Sequence, residues 1–244
     1  ANARICRILK EKQDVNGVLG YVIDEVYLTP DDEVFIQFGA NAGNTDVDST
    51  LFAPAKIIVD GDGRVYTIAN GTYQGILEYN EDGEFNRFLG KNLVTKRSWW
   101  TFLLTQEQYD KLALNLPSTF TNLTLDSRNL IYATAQPDDS ATTAAEMIKL
   151  INTSGSDVLK RNGYVTPDGD VNYAKYVKPA VEGPSTFTAI DVNESRIYSA
   201  VDSRRGRIFT YDDEGNLLYI SGEKGSYSNN INLPEALKYF KVKR

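Results

Sequence analysis

The acidic residues come first, because two of them are spaced as ion ligands are. In IIVDGDGRVYTIANG, residues 57–71, Asp60 and Asp62 stand one residue apart, each followed by a glycine. A calcium loop of the EF-hand kind beginning at Asp60 needs an acid or amide at its fifth position and a bidentate glutamate at its twelfth. Those positions hold Arg64 and Gly71. Turn chemistry explains the motif better, since Asp bonds its own backbone and Gly accepts positive φ. The spacing therefore predicts a hairpin turn. NEDGEF and DDEGNL read the same way. TPDGDVN, Thr166 to Asn172, also spaces two acids, Asp168 and Asp170, without a glutamate at calcium-loop distance. It reads as a solvated turn.

Other chemistry is limited by composition. The 244 residues contain no histidine, so the usual neutral-pH base and the commonest zinc nitrogen ligand are both missing. Cys6 is the sole cysteine, so neither an intrachain disulfide nor a Cys–His pair can form. There is no G-x-S-x-G, and GEKGS at 222–226 lacks the spacing of a phosphate loop. No catalytic residue, metal ligand or cofactor is expected. The net charge of −7 repels phosphate backbones and argues against nucleic acid as a partner.

Two clusters remain as candidate ligand-binding groups. SRRGRIF gathers Arg204, Arg205 and Arg207 within four positions. A solvated loop rim is the plain reading, and a carboxylate-bearing ligand fits the cluster better than RNA. RSWWTFLL places Trp99 beside Trp100. Neighbouring strand residues point to opposite faces, so one tryptophan packs inward. The other either joins the core too or forms an exposed aromatic contact.

The elements that would position these residues follow a repeat. Tyr66, Tyr132 and Tyr198 lie 66 residues apart, in RVYTIA, LIYATA and RIYSAV. Each follows an apolar run and a polar turn, and each precedes a second pair of strand-like runs. Asn80/Gly83, Asn152/Gly155 and Asp212/Gly215 mark the second turns, and Pro54, Pro117 and Pro184 open the units. Each unit, about 52–90, 117–161 and 184–222, thus reads as four short strands with tight turns. Repeated four-stranded units are the blades of a β-propeller. Insertions occupy 91–116, 136–145 and 162–183. The first contains TQEQYDKLALNL, where Thr105 and Gln108 form a capping box, so a short helix is expected.

ANARICRIL aligns with the middle of a unit, in register with SRRGRIFTY, and NLPEALKYFKVKR reads as the opening strand of another. The expectation is one all-β domain over 1–244, with partial blades at both ends, forming an incomplete part of a longer propeller. No run approaches the roughly 18–20 apolar residues of a membrane-spanning helix.

FAPAKIIVDGDGRVYTIANGTYQGILEYNEDGEFNRFLG and GPSTFTAIDVNESRIYSAVDSRRGRIFTYDDEGNLLYISG resemble the NHL-repeat family. The middle unit departs from its pattern, with Ser127, Arg128 and Asn129 in place of the glycine turn. The arrangement is similar to NHL-type proteins of Gram-positive gut bacteria, some joined to a membrane segment. The resemblance covers about 52–235. It implies a β-propeller working outside the cytoplasm, membrane-associated in some members, as a non-catalytic binding platform or scaffold for a protein or small ligand. The alternative it leaves open is a calcium-dependent lactonase-like hydrolase of the SMP-30 type, with Asp60, Asp126, Asp191 and Asp202 as the acids that would have to converge. Propellers similar to streptogramin or amidating lyases rely on histidine, which this chain lacks.

Overall fold

The computed structural model describes residues 5–8, 13–15, 18–20, 23–27, 53–70, 75–90, 119–136, 146–170, 183–223 and 236–239. Every regular element among them is a β-strand. The helix expected within 105–116 lies outside the described residues. Contacts divide the chain into two compact units, Ala1–Phe88 and Leu89–Arg244.

In the first unit, β1 (Ile5–Ile8) pairs with β4 (Ile23–Tyr27), and β2 (Gln13–Val15) pairs with β3 (Val18–Gly20). A four-stranded antiparallel sheet follows in the order of the chain: β5 (Ala53–Val59), β6 (Val65–Asn70), β7 (Ile76–Tyr79) and β8 (Phe85–Leu89). Its core gathers Val65, Ala69, Leu77, Tyr79 and Phe88, with Ile5 of β1 and Phe85 packed against it. These are the inward positions of alternating strands, whose burial supplies the main stabilisation.

The second unit holds β9 (Thr119–Leu125), β10 (Ile131–Gln136) and β11 (Ile148–Ile151), then β12 (Phe187–Val192), β13 (Tyr198–Asp202), β14 (Arg207–Tyr211) and β15 (Leu217–Ser221). The last four form a second sheet of sequential antiparallel strands. The middle sheet corrects the sequence expectation, for it has three strands and only a single bridge, Ile151 to Asp157, where a fourth was expected. One backbone bond, from the Val158 N–H to the Leu150 carbonyl at 2.7 Å, and several side-chain bonds take over the outer edge of β11. The Asp157 carboxylate accepts the N–H of Leu150 at 3.1 Å and of Leu159 at 2.9 Å, and Arg161 Nη2 donates to the Ile148 carbonyl at 3.0 Å. Carbonyls and amides satisfied this way leave no ladder to extend.

One turn recurs six times among the described residues. Asp60, Asn80, Asp126, Asn152, Asn193 and Asp212 each accept, through Oδ1, the N–H groups two and four residues ahead. The residue three positions on always takes positive φ: Gly63, Gly83, Asn129, Gly155, Arg196 and Gly215, between 60° and 85°. Glycine does this without steric cost, and asparagine tolerates it. Arg196, at φ 63°, is the strained member. Asp60-Gly61-Asp62-Gly63 is the first of these turns.

The middle and last sheets join through their opening strands. Thr121 Oγ1 donates to the Phe187 carbonyl at 2.7 Å, Asn122 Nδ2 to the Thr188 carbonyl at 3.0 Å, and Thr124 Oγ1 to Asp191 Oδ1 at 3.0 Å. Behind this seam Tyr132, Ile148, Phe187, Tyr198 and Tyr211 share one buried cluster. Two of the three repeat tyrosines meet there, with the rings of Tyr132 and Tyr198 5.0 Å apart.

Candidate functional site

The arginine cluster lies where the segment 166–170 meets the loops before β12 and after β13. Asp202 organises it. Its Oδ1 accepts the N–H of Thr186 at 3.0 Å and of Arg204 at 2.9 Å. Its Oδ2 accepts the Ser185 hydroxyl at 2.8 Å and Arg205 Nη1 at 3.2 Å. Arg205 is buried, also donates to the Gly183 carbonyl, and lies 3.5 Å from Asp170 through Nε. Arg207 reaches the same Asp170 oxygen at 3.2 Å. Arg204 Nε donates to Thr186 Oγ1 at 3.1 Å. The structure thus brings all three arginines together with two carboxylates, and Arg205 braces the loops from inside. Arg204 and Arg207 are half-buried and reach the surface. A carboxylate ligand meeting Arg207 would compete with Asp170.

The segment around Asp168 corrects the sequence reading of a solvated turn. Asp168 is buried and accepts the Met147 N–H at 3.0 Å. Gly169 donates to the Tyr211 hydroxyl at 3.3 Å, and Asp170 N–H donates to Ser185 Oγ at 2.9 Å. A Cβ at Gly169 would stand 2.6 Å from Ser185 Oγ and 2.8 Å from the Phe187 ring, so only glycine fits. Local composition suggested solvent; a buried backbone N–H in need of an acceptor decided otherwise. The phenol of Tyr211 is raised well above its ordinary value, by burial first and by the carboxylates of Asp168 and Asp170 next, against the lowering effect of the Gly169 N–H.

The acids that a lactonase-like site would gather have other partners. Asp60 holds the N–H groups of Asp62 and Arg64, with Arg64 Nε at 2.8 Å and the Tyr66 hydroxyl at 3.0 Å. Burial would raise its pKa, but the Arg64 N–H, the Tyr66 hydroxyl, the Asp62 N–H and the Arg64 guanidinium together hold it below the ordinary value. Asp126 is bound by Arg128 at 2.6 Å. Asp191 receives Thr124, Lys238 Nζ at 3.1 Å and the Tyr239 N–H at 2.7 Å. Among the described residues no group of three acids, cysteines or histidines is placed to hold a metal ion.

Trp99 and Trp100 lie outside the described residues. Other apolar groups reach solvent: Tyr164 and Val165 ahead of the buried Asp168, and Leu218, Tyr219 and Ile220 along β15. Sequence reasoning passed over these. Tyr164 belongs to a tyrosine-rich insertion, and three consecutive apolar residues in a strand must place at least one away from a single core, which was the available signal.

No protein-family model matches the chain, and no curated protein matches its sequence. Solved structures do match. A streptogramin B lyase aligns over 75% of this chain and 43% of its own, at 12% identity and TM-score 0.41. Virginiamycin B lyase from Staphylococcus aureus aligns over 96% and 52%, at 15% identity and TM-score 0.44. The extracellular domain of a protein assigned as a one-component system of B. thetaiotaomicron aligns over 73% and 18%, at 12% identity and TM-score 0.38. The chain therefore spans about half or less of each of these structures.

Proposed function

We propose that this chain is a non-catalytic binding or scaffold β-propeller of the NHL-repeat kind, acting outside the cytoplasm, whose loops receive a protein or small ligand. The observation that carries the reading is the fate of its acids. Asp60, Asp126, Asp191 and Asp202 are each bonded to turn amides, arginines or a neighbouring strand, while Tyr164, Val165 and the β15 residues stay at the surface. A rigid sheet that presents aromatic and apolar groups binds with little ordering cost. The resemblance of 52–235 to NHL repeats supports the blade assignment and the location. Trp99, Trp100, Arg204 and Arg207 are the further contacts proposed; Arg205 acts by holding its neighbours.

The test has two arms. Calorimetric titration of chelator-stripped protein with Ca²⁺, followed by a lactone panel, should give neither a tight site nor turnover. One tight ion together with hydrolysis would establish the lactonase-like alternative instead. Glycan and peptide arrays should retain the chain, with Tyr164→Ser, Trp99→Ala or Trp100→Ala lowering retention at unchanged melting temperature. Retention unaffected by all three variants would remove these side chains from the binding surface.

A further inference from the structure

Three phenols of this chain have fixed partners. Tyr66 Oη donates to Asp60 at 3.0 Å, Tyr211 Oη accepts the Gly169 N–H at 3.3 Å, and Tyr239 Oη meets Ser199 Oγ at 2.6 Å. Tyr198 differs. Its side chain is fully buried, and its hydroxyl bonds to none of the described residues. A second polar atom shares that condition: Arg161 Nε is buried and also bonds to none of the described residues. Leaving either group unbonded would cost more than a typical hydrogen bond contributes.

Both atoms border the same core. Tyr198 belongs to the cluster that holds Tyr132, Ile148, Leu159 and Tyr211. Arg161 reaches it from the edge of the middle sheet, where Nη1 donates to the Leu159 carbonyl at 3.1 Å and Nη2 to the Ile148 carbonyl at 3.0 Å. The Tyr198 ring stands 5.0 Å from that of Tyr132 and 5.4 Å from that of Tyr211, its cross-strand partner. Burial raises the Tyr198 phenol well above its ordinary value, Tyr132 and Tyr211 add to this, and Arg161 is near enough to oppose it. The phenol is therefore neutral, able to give one hydrogen bond and to accept another, whereas Arg161 Nε can only give. A small molecule whose oxygen accepts from the guanidinium and bonds to the phenol satisfies both. Its charge follows from the surroundings. Asp157 lies 2.8 Å and Glu146 4.0 Å from Arg161, and Asp212 acts on the phenol. With the cation already matched, a neutral molecule fits and an anion would be repelled.

We propose that one buried water bridges Tyr198 Oη and Arg161 Nε and so ties the last sheet to the edge of the middle one. Such waters bond otherwise unsatisfied polar groups, and their removal destabilises the fold. The inference goes beyond the binding role proposed above and depends on no surface ligand, so each can fail without the other.

Urea denaturation of the 244-residue chain and its variants tests this. Tyr198→Phe deletes one oxygen, and Arg161→Lys deletes Nε while keeping the charge. Tyr198→Phe should lower the folding equilibrium constant about fivefold or more, because the bridge is lost with the hydroxyl. In the Arg161→Lys background the same substitution should cost measurably less. A crystal structure should show an ordered oxygen within hydrogen-bond distance of both atoms. A Tyr198→Phe protein at least as stable as its parent overturns the proposal, since the hydroxyl would then have been unbonded. Equal losses in both backgrounds overturn it too, because the two groups would not share a partner. Should Arg161→Lys fail to fold, the crystal structure decides in its place, and no oxygen between the two atoms overturns the bridge. Chloride exchanged for gluconate at fixed ionic strength should leave stability unchanged. A stabilisation by chloride that vanishes in Tyr198→Phe would assign an anion and overturn the water.

Discussion

The seam between β9 and β12 and the bare face of β5 come from the same position in the repeat, and they differ in nearly everything but backbone. At the seam, hydroxyl and amide side chains of Thr121, Asn122 and Thr124 reach the next strand, and Leu123 and Ala189 are buried. At β5, Ile57 and Val59 face solvent. The local sequence makes the strand, and the neighbour makes the environment. Substitutions in the seam-bearing unit should therefore cost more than matched ones in the first four-stranded sheet.

The largest difference is expected from carboxylates. Asp202→Ala removes four hydrogen bonds and leaves Arg205 buried with a vanished partner, a loss of about 3–5 kcal/mol. Asp62→Ala removes an exposed pair with Arg64 at 3.0 Å and should cost no more than about 0.5 kcal/mol. Urea denaturation measures both, and equal losses would break the comparison.

Next come two turn glycines that share φ 85°. A Cβ at Gly215 would stand 2.2 Å from the Lys160 carbonyl, so Gly215→Ala should cost on the order of 3 kcal/mol. At Gly63 the nearest atom is 3.6 Å away, which leaves the backbone term of about 1–2 kcal/mol. Melting temperatures of the pair should separate accordingly.

A smaller effect has the opposite sign. Arg196→Gly relieves a left-handed residue and gives up only a surface pair with Asp213, for a net gain of about 0.5–1 kcal/mol. Asn129→Gly should change little, since asparagine accepts that conformation. A loss of stability in Arg196→Gly would mean that the ion pair outweighs the strain.

The smallest effect is pH-dependent. Asp60 and Asp212 both titrate below the ordinary carboxylate value in the fold. Burial acts against this for each; at Asp60 the Arg64 and Asp62 amides with Tyr66 and the Arg64 guanidinium outweigh it, and at Asp212 the Asn216 side chain first and the turn amides next. A depressed folded pKa contributes stability above the unfolded value, and that stability is lost as pH falls through the folded value. Asp60→Asn keeps the turn acceptor and loses the charge, so its unfolding free energy should fall less steeply with acid than that of the parent. Stepwise denaturation below pH 4 reads the difference, and identical slopes would assign the effect to other carboxylates.

The reach of the sequence was uneven for stated reasons. The six turns were legible because an Asx side chain satisfies its own backbone within five residues, whatever surrounds it. The strands were legible from alternation and from the 66-residue recurrence of Tyr66, Tyr132 and Tyr198. The three-stranded middle sheet was not legible, because Asp157 and Arg161 replaced a ladder through side-chain bonds that no periodicity records. Nor was the burial of Asp168, whose acidic, glycine-rich context is that of an exposed loop.

The arginine cluster shows the same division. Its charge was visible in SRRGRIF, but the pairing with Asp170 was not, since Asp170 lies 37 residues from Arg207 in the chain. By itself the sequence determined what depends on a few adjacent residues: turns, strands, the repeat, and the lack of histidine chemistry. Only the tertiary structure decided which carboxylates were already bonded, which arginine turned inward and which repeat faces stayed bare. Those outcomes depend on atoms brought together by packing, and the free energy of a buried charge or an exposed apolar face is set by its neighbours in space.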